Sequence, residues 1–212
     1  NWNAPLDDDL GHCVWYQLLE YQTQYAHKQS FSESCRLAGK SPHQWVTSVR
    51  FWSTGLDSLP HGFNNCLENL TDLTLTTGSI KTFKENDLAN LVMLERLHIN
   101  NNGLTELPGS LFRDLISLTE IEAYQNRLTT LPAEIFQNTT KLSRLDLHHN
   151  LISSLPTELF QNALNLVYLN ISYNNMTSVP AGMFNITRLD IGYNELSTFP
   201  KGQFTHLGKL DA

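Results

Sequence analysis

The chain has 212 residues and is short of several things. It has three cysteines, Cys13, Cys35 and Cys66, so one pair can bridge and one sulfur is left over. Charged residues make up only 17%, and positive charge is the scarcer sign, with Lys+Arg 14 against Asp+Glu 21. The net charge of −7 argues against a sequence-independent nucleic-acid binder, which needs a basic surface. No apolar run reaches about 18 residues, so nothing in the chain reads as a membrane-spanning helix. Asn1-Trp2-Asn3 leads into Asp7-Asp8-Asp9, which is not the basic and then apolar start of a signal peptide. Catalytic signatures are missing too. There is no G-x-S-x-G and no H-E-x-x-H. Gly39-Lys40-Ser41 ends like a phosphate-binding loop, but Ser34 stands where the first glycine is needed. His148-His149 has no cysteine or carboxylate at ligand spacing, and the pair reads as two exposed variable positions rather than a metal site. Carboxylates such as Glu120 and Glu122 read as surface. The expectation is no enzyme, no metal and no cofactor.

What the sequence does contain is a repeat. Leu70, Leu94, Leu118, Leu142 and Leu166 each open the pattern L-x-x-L-x-L-x-x-N-x-L, 24 residues apart. Pro108, Pro132, Pro156 and Pro180 keep the same period, and Pro200 follows after 20. A weaker copy starts at Val46, and the copy at Leu70 has Gly78 in place of asparagine. The last copy opens at Leu210, with no cap after it, so the chain reads as a piece of a longer array. A period of this length belongs to leucine-rich repeats. The alternation in "LSRLDLHHN" sends Leu145 and Leu147 inward and Asp146 outward, as in a short strand. One such coil cannot bury its flanks, but stacked neighbours can.

The expected fold is therefore an α/β-type leucine-rich repeat solenoid. It would be a curved horseshoe with parallel concave strands and a mostly irregular convex side. About seven repeats would fill residues 46–212, and residues 1–45 would form an N-terminal cap. Cys13 and Cys35 are the preferred bridge within that cap, with Cys66 as a competing partner for Cys35. Asn102, Asn126, Asn150, Asn174 and Asn194 recur at one position, where the coil turns. Their amides can both donate to and accept from backbone groups left without strand partners. Thr54 and Gly78 break this series, so the first coils should be less regular.

Five N-x-S/T sequons, at Asn69, Asn138, Asn170, Asn175 and Asn185, point to a secreted or cell-surface setting. Asn170 lies between inward Leu169 and Ile171. A sugar there would stand on the concave face and push protein binding toward earlier coils; otherwise Asn170 is bare.

Outward strand positions form columns. One runs Asp72, Arg96, Glu120, Arg144, Tyr168, Arg188, and the next runs Thr74, His98, Glu122, Asp146, Asn170, Asp190. Beyond them lie Tyr124, His148, His149, Tyr173 and Tyr193. Tyrosine and arginine are the residues that dominate protein hot spots. The candidate ligand-binding set is Arg96, His98, Glu120, Glu122, Tyr124, Arg144, Asp146 and His148, chosen by geometry alone.

The run from Gly109 to Asn150, GSLFRDLISLTEIEAYQNRLTTLPAEIFQNTTKLSRLDLHHN, resembles the N-terminal repeats of invertebrate Toll receptors. The cue is Leu-Pro followed by a convex phenylalanine: Pro108 with Phe112, Pro132 with Phe136, Pro156 with Phe160. The resemblance implies the ectodomain of a single-pass receptor that dimerises. Its N-terminal concave region would bind a processed cystine-knot cytokine of the Spätzle type, and it would signal through a transmembrane helix and a TIR domain absent from this chain. The competing readings are a secreted or cell-surface adhesion or matrix protein without TIR signalling, and a lymphocyte-type variable receptor.

Overall fold

The computed structural model describes residues 46–52, 57–59, 63–179 and 186–197. The expected cap, with Cys13 and Cys35, lies outside these residues. Seven strands follow in chain order: β1 Ser48–Trp52, β2 Asp72–Thr76, β3 Arg96–His98, β4 Glu120–Glu122, β5 Arg144–Asp146, β6 Tyr168–Asn170 and β7 Arg188–Asp190. They form one parallel sheet in that same order. The fold is a leucine-rich repeat solenoid. Each register step advances by one repeat, so Leu97, Ile121, Leu145, Leu169 and Leu189 line up across the sheet.

The 24-residue period produces this register because every coil repeats the same inward positions. Leu97, Leu145 and Leu169 are fully buried, and Ile121 nearly so. Leu142, Ile152, Leu155, Leu159 and Phe160 close one coil around the interior, all of them buried. On the far side of the core, Phe112 stacks near Phe136 with centroids 6.2 Å apart, and Phe136 near Phe160 at 6.3 Å. The segments that return to the next strand contain turns and one 3-10 turn, Phe63–Cys66, with no α-helix among the described residues. Proline explains how these segments begin. It fixes φ and has no N–H to give, so it opens a turn. The carbonyls of Pro108, Pro132 and Pro156 accept from Leu111, Ile135 and Leu159 at 3.0–3.2 Å.

The asparagine that follows each of β3 to β7 ties neighbouring coils together. Asn150 Oδ1 accepts from the Leu128 amide at 3.1 Å, while its Nδ2 donates to Ala123 O at 3.0 Å and Leu147 O at 2.9 Å. Asn126 and Asn174 repeat this arrangement one coil away on either side. Asn102 and Asn194 do so at the ends, half-buried. No buried side-chain polar atom among the described residues lacks a partner. Of the two breaks in the ladder, Thr54 lies outside the described residues. Beside Gly78 the sheet does differ from the later coils: β2 pairs with β1 over five residues, against three at each later step among the described residues. The backbone ladder alone sets that register; the amide serves the turn that follows.

The residue before each ladder position has a left-handed backbone: Thr77, Asn101, Gln125, His149, Tyr173 and Tyr193, with φ of 51–56°. That conformation costs a non-glycine residue roughly 1–2 kcal/mol. It is held because these amides donate across coils: Asn101 to Tyr124 O, Gln125 to His148 O, His149 to Ser172 O and Tyr173 to Gly192 O, at 2.9–3.1 Å.

Two stability measurements follow. Leu145→Ala should cost about 2–5 kcal/mol in urea unfolding, by the lost burial and the cavity left behind. Asn150→Ala should cost about 2–4 kcal/mol, because it strands the Leu128 amide and two carbonyls together. Asn102→Ala, at a half-buried site open to water, should cost less than Asn150→Ala.

Candidate protein-binding face

The outward side chains of β3 to β6 do not stand free. In the first column Arg96 pairs with Asp72 through its Nε, and through Nη2 to Asp72 Oδ2 at 2.8 Å. Arg144 Nε lies 2.9 Å from Glu120 Oε1, and its Nη2 reaches Glu122 at 3.8 Å and Asp146 at 3.6 Å. In the second column His98 Nδ1 lies 2.8 Å from Glu122 Oε2, and His148 Nδ1 lies 2.6 Å from Asp146 Oδ1. Tyr124 and His148 stack with centroids 4.5 Å apart. Seven of the eight candidate residues thus join in one chain of contacts, running from His98 through Glu122 and Arg144 to Asp146, His148 and Tyr124, with Glu120 on Arg144. Arg96 instead belongs to a separate cluster with Asp72 and Glu95.

The structure differs here from three expectations. Asp146, read as an outward surface residue, is only 4% exposed, because Arg144 and His148 close over it. Of His148 and His149, read as two exposed positions, only His149 is exposed. His148 is half-buried on Tyr124, and His149 stacks on Tyr173 with centroids 4.2 Å apart. Glu120 and Glu122 are likewise half-buried ion-pair partners rather than plain surface. Periodicity places a side chain on a face, but it cannot say which neighbour folds over it.

Electrostatics follow from these contacts. The hydrogen bond from His98 holds the Glu122 carboxyl below the usual range, against the opposing effect of burial, helped by the nearby charges of Arg144 and His148. Burial pushes the Asp72 carboxyl up, but the hydrogen bonds and charge of Arg96 and the Thr71 hydroxyl outweigh it, and the net direction is down. Burial and the charges of Glu122 and Asp146 push the Tyr124 hydroxyl up, so it stays a neutral donor. Such partly exposed pairs contribute at most about 1 kcal/mol each. Their larger effect is to fix side chains in place before any partner arrives.

Two further features escaped the sequence reading. Thr71, Thr119, Ser143 and Thr187 stand just before their strands. Each hydroxyl donates to the carbonyl of the coil before it, at 3.0–3.3 Å. On the flank before the strands, Val92, Ile116 and Leu164 are 40%, 54% and 62% exposed, with Met93 and Val167 beside them. Both sets recur at the repeat period, and that spacing is the signal that could have found them.

Of the sequons, Asn138 and Asn175 are exposed. Asn138 Nδ2 donates to Arg113 O at 2.8 Å. Asn170 is half-buried, and its Oδ1 accepts from the Ser172 amide at 3.1 Å and hydroxyl at 2.8 Å. Asn69 lies among the described residues, whereas Asn185 lies outside them.

A family model for the BspA type leucine-rich repeat region matches residues 58–190 in six copies. No curated protein matches the chain. Among solved structures, the leucine-rich repeat domain of APL1B is similar with a TM-score of 0.67 at 21% identity, over 82% of this chain and 51% of that one. That likeness shows the fold alone. The Toll–Spätzle complex of Drosophila, in its glycosylated form, is similar with a TM-score of 0.61 at 25% identity, over 74% of this chain and 25% of that one. The chain spans about half the length of the first and about a quarter of the second.

The lowered carboxyls predict an acid dependence. A carboxyl whose folded pKa is depressed adds stability that is complete above its unfolded value, about 4.3 for glutamate, and is lost as pH falls through the folded value. Glu122→Gln should therefore lower stability by about 1 kcal/mol at neutral pH and flatten the acid limb below about pH 4.3. Urea midpoints across a pH series check this, and an unchanged acid limb would contradict it.

Proposed function

The chain belongs to the BspA-type leucine-rich repeat family, and from that premise we propose that it is the ligand-binding segment of a Toll-type receptor whose sheet face recognises a protein. The observation that carries this reading is the pre-set face of β3 to β6. Arg144 and His98 are held there by carboxylates of neighbouring coils, His148 by Asp146 of its own coil, and Tyr124 by stacking on His148. Ordered side chains lose less entropy on binding, and arginine and tyrosine supply the groups that anchor protein interfaces. A pocket among the described residues lies off the sheet, lined by Glu134, Gln137, Glu158 and Gln161.

The likeness to the Toll–Spätzle complex supports a protein partner of that class. For this chain the ligand is a cystine-knot cytokine of the Spätzle type, engaged through the N-terminal coils of the sheet face. The setting is the extracellular side of a plasma membrane, and the receptor works as a dimer. Exposed sequons at Asn138 and Asn175 fit that setting, and both lie off the strands.

Tyr124→Ala and Arg96→Glu should each weaken binding of a purified Spätzle-type cystine-knot dimer by about tenfold, or about 1.4 kcal/mol. Surface plasmon resonance measures this, with thermal melts confirming that both variants fold. Full affinity in both variants would move the site off these coils.

A further inference from the structure

The first outward column follows a charge rhythm that breaks near its end. Asp72 pairs with Arg96, and Glu120 pairs with Arg144. The next residue in an acid position is Tyr168, and Arg188 follows it. Arg144 lies over the Tyr168 ring at 3.9 Å from its centroid, and Arg188 approaches the same ring at 5.3 Å. Arg144 is already neutralised by Glu120, Glu122 and Asp146. Arg188 is exposed and has no carboxylate within ion-pair distance among the described residues. Of the three arginines in this column, it is the one whose charge no carboxylate among the described residues answers.

The rim beside it is also unusual. His149, Tyr173 and Tyr193 stack in sequence, with centroids 4.2 Å apart at each step. All three sit at the left-handed turn position, where asparagine or glycine would be strained less. The turn itself therefore does not call for aromatic residues. Tyr173 is 42% exposed and Tyr193 is 75% exposed.

We propose that the β7 end of the face is an anchoring subsite for a partner protein segment. Arg188, backed by Tyr168, takes a carboxylate of that segment, and Tyr173 and Tyr193 receive an apolar side chain next to it. This rests on the reading of the sheet face as a protein-binding surface. Asp190 lies two residues beyond Arg188, is exposed, and accepts the Gly192 amide at 3.1 Å. Its charge repels a second acid and so sets the direction in which the segment lies. The subsite also requires a bare Asn170, which neighbours Asp190 in the second column. The hold of Ser172 on Asn170 Oδ1 keeps that side chain low against the sheet.

The test uses the whole chain, produced in insect cells, as bait for a random-peptide display library. Enriched peptides are synthesised and their affinities measured by fluorescence polarisation. The subsite predicts Asp or Glu beside an aliphatic or aromatic residue in the enriched set. It predicts a loss of about tenfold or more with Arg188→Glu, and a smaller loss with Tyr193→Ala. Arg188→Gln, which removes the charge without reversing it, should give an intermediate loss. Arg127→Glu, exposed and away from the strands, should bind as the parent does. No acidic enrichment, or full affinity in Arg188→Glu, overturns the subsite. So does a glycopeptide map with Asn170 occupied in most molecules. Peptides that lose affinity with Tyr124→Ala but not with Arg188→Glu overturn the subsite and leave the binding face standing. Peptides insensitive to both overturn the two together.

Discussion

The constraint everything else depends on is the end of each strand. A parallel strand of three residues must turn sharply and send the chain away from the sheet. At that point backbone amides and carbonyls lose their strand partners inside a water-free core. The asparagine ladder meets this need by joining each coil to the one before it. Asn126, Asn150 and Asn174 each accept one amide from the preceding coil and donate to carbonyls of both coils. The left-handed residue just before the asparagine is a consequence of the same turn. Its amide continues the ladder one step past the strand, and that bond stabilises a conformation its side chain disfavours.

With the turn satisfied, the strand is free to carry unrelated side chains outward. Neighbouring coils lie one strand spacing apart, about 4.8 Å, so outward residues meet their counterparts one repeat away. Opposite charges at that spacing pair along the sheet rather than with solvent. This is why the eight candidate residues form pairs and stacks instead of eight independent groups. It also explains why function is easier to read where the pairing fails. At Tyr168 an aromatic ring replaces the expected acid, and among the described residues the arginine beyond it has that ring in place of a carboxylate.

Much of the fold was legible because a repeat tests each assignment several times. The 24-residue period fixed which leucines face inward, and the register of all seven strands follows it or its one shortened step. The sites were legible only as columns. Residue type and period placed Asp146 and His148 on the outward side, but not the burial of the first beneath Arg144 or the stacking of the second on Tyr124. The shift of the aromatic row by one position, from His148 to His149, was equally hidden. It depends on the left-handed turn, which no residue type announces when tyrosine or histidine occupies it.

The sequence by itself determined the solenoid, its strand order and the identity of its ladder. These are set by local periodicity, where one inward leucine implies the next. Only the tertiary structure decided which charges are already answered and which are offered to a partner. Ion pairing and ring stacking depend on distances between side chains that are neighbours in space but a whole repeat apart in the chain. Arg96, Arg144 and Arg188 occupy equivalent places in their repeats. Asp72 and Glu120 make the first two parts of the scaffold, and the exposed guanidinium of Arg188 faces solvent.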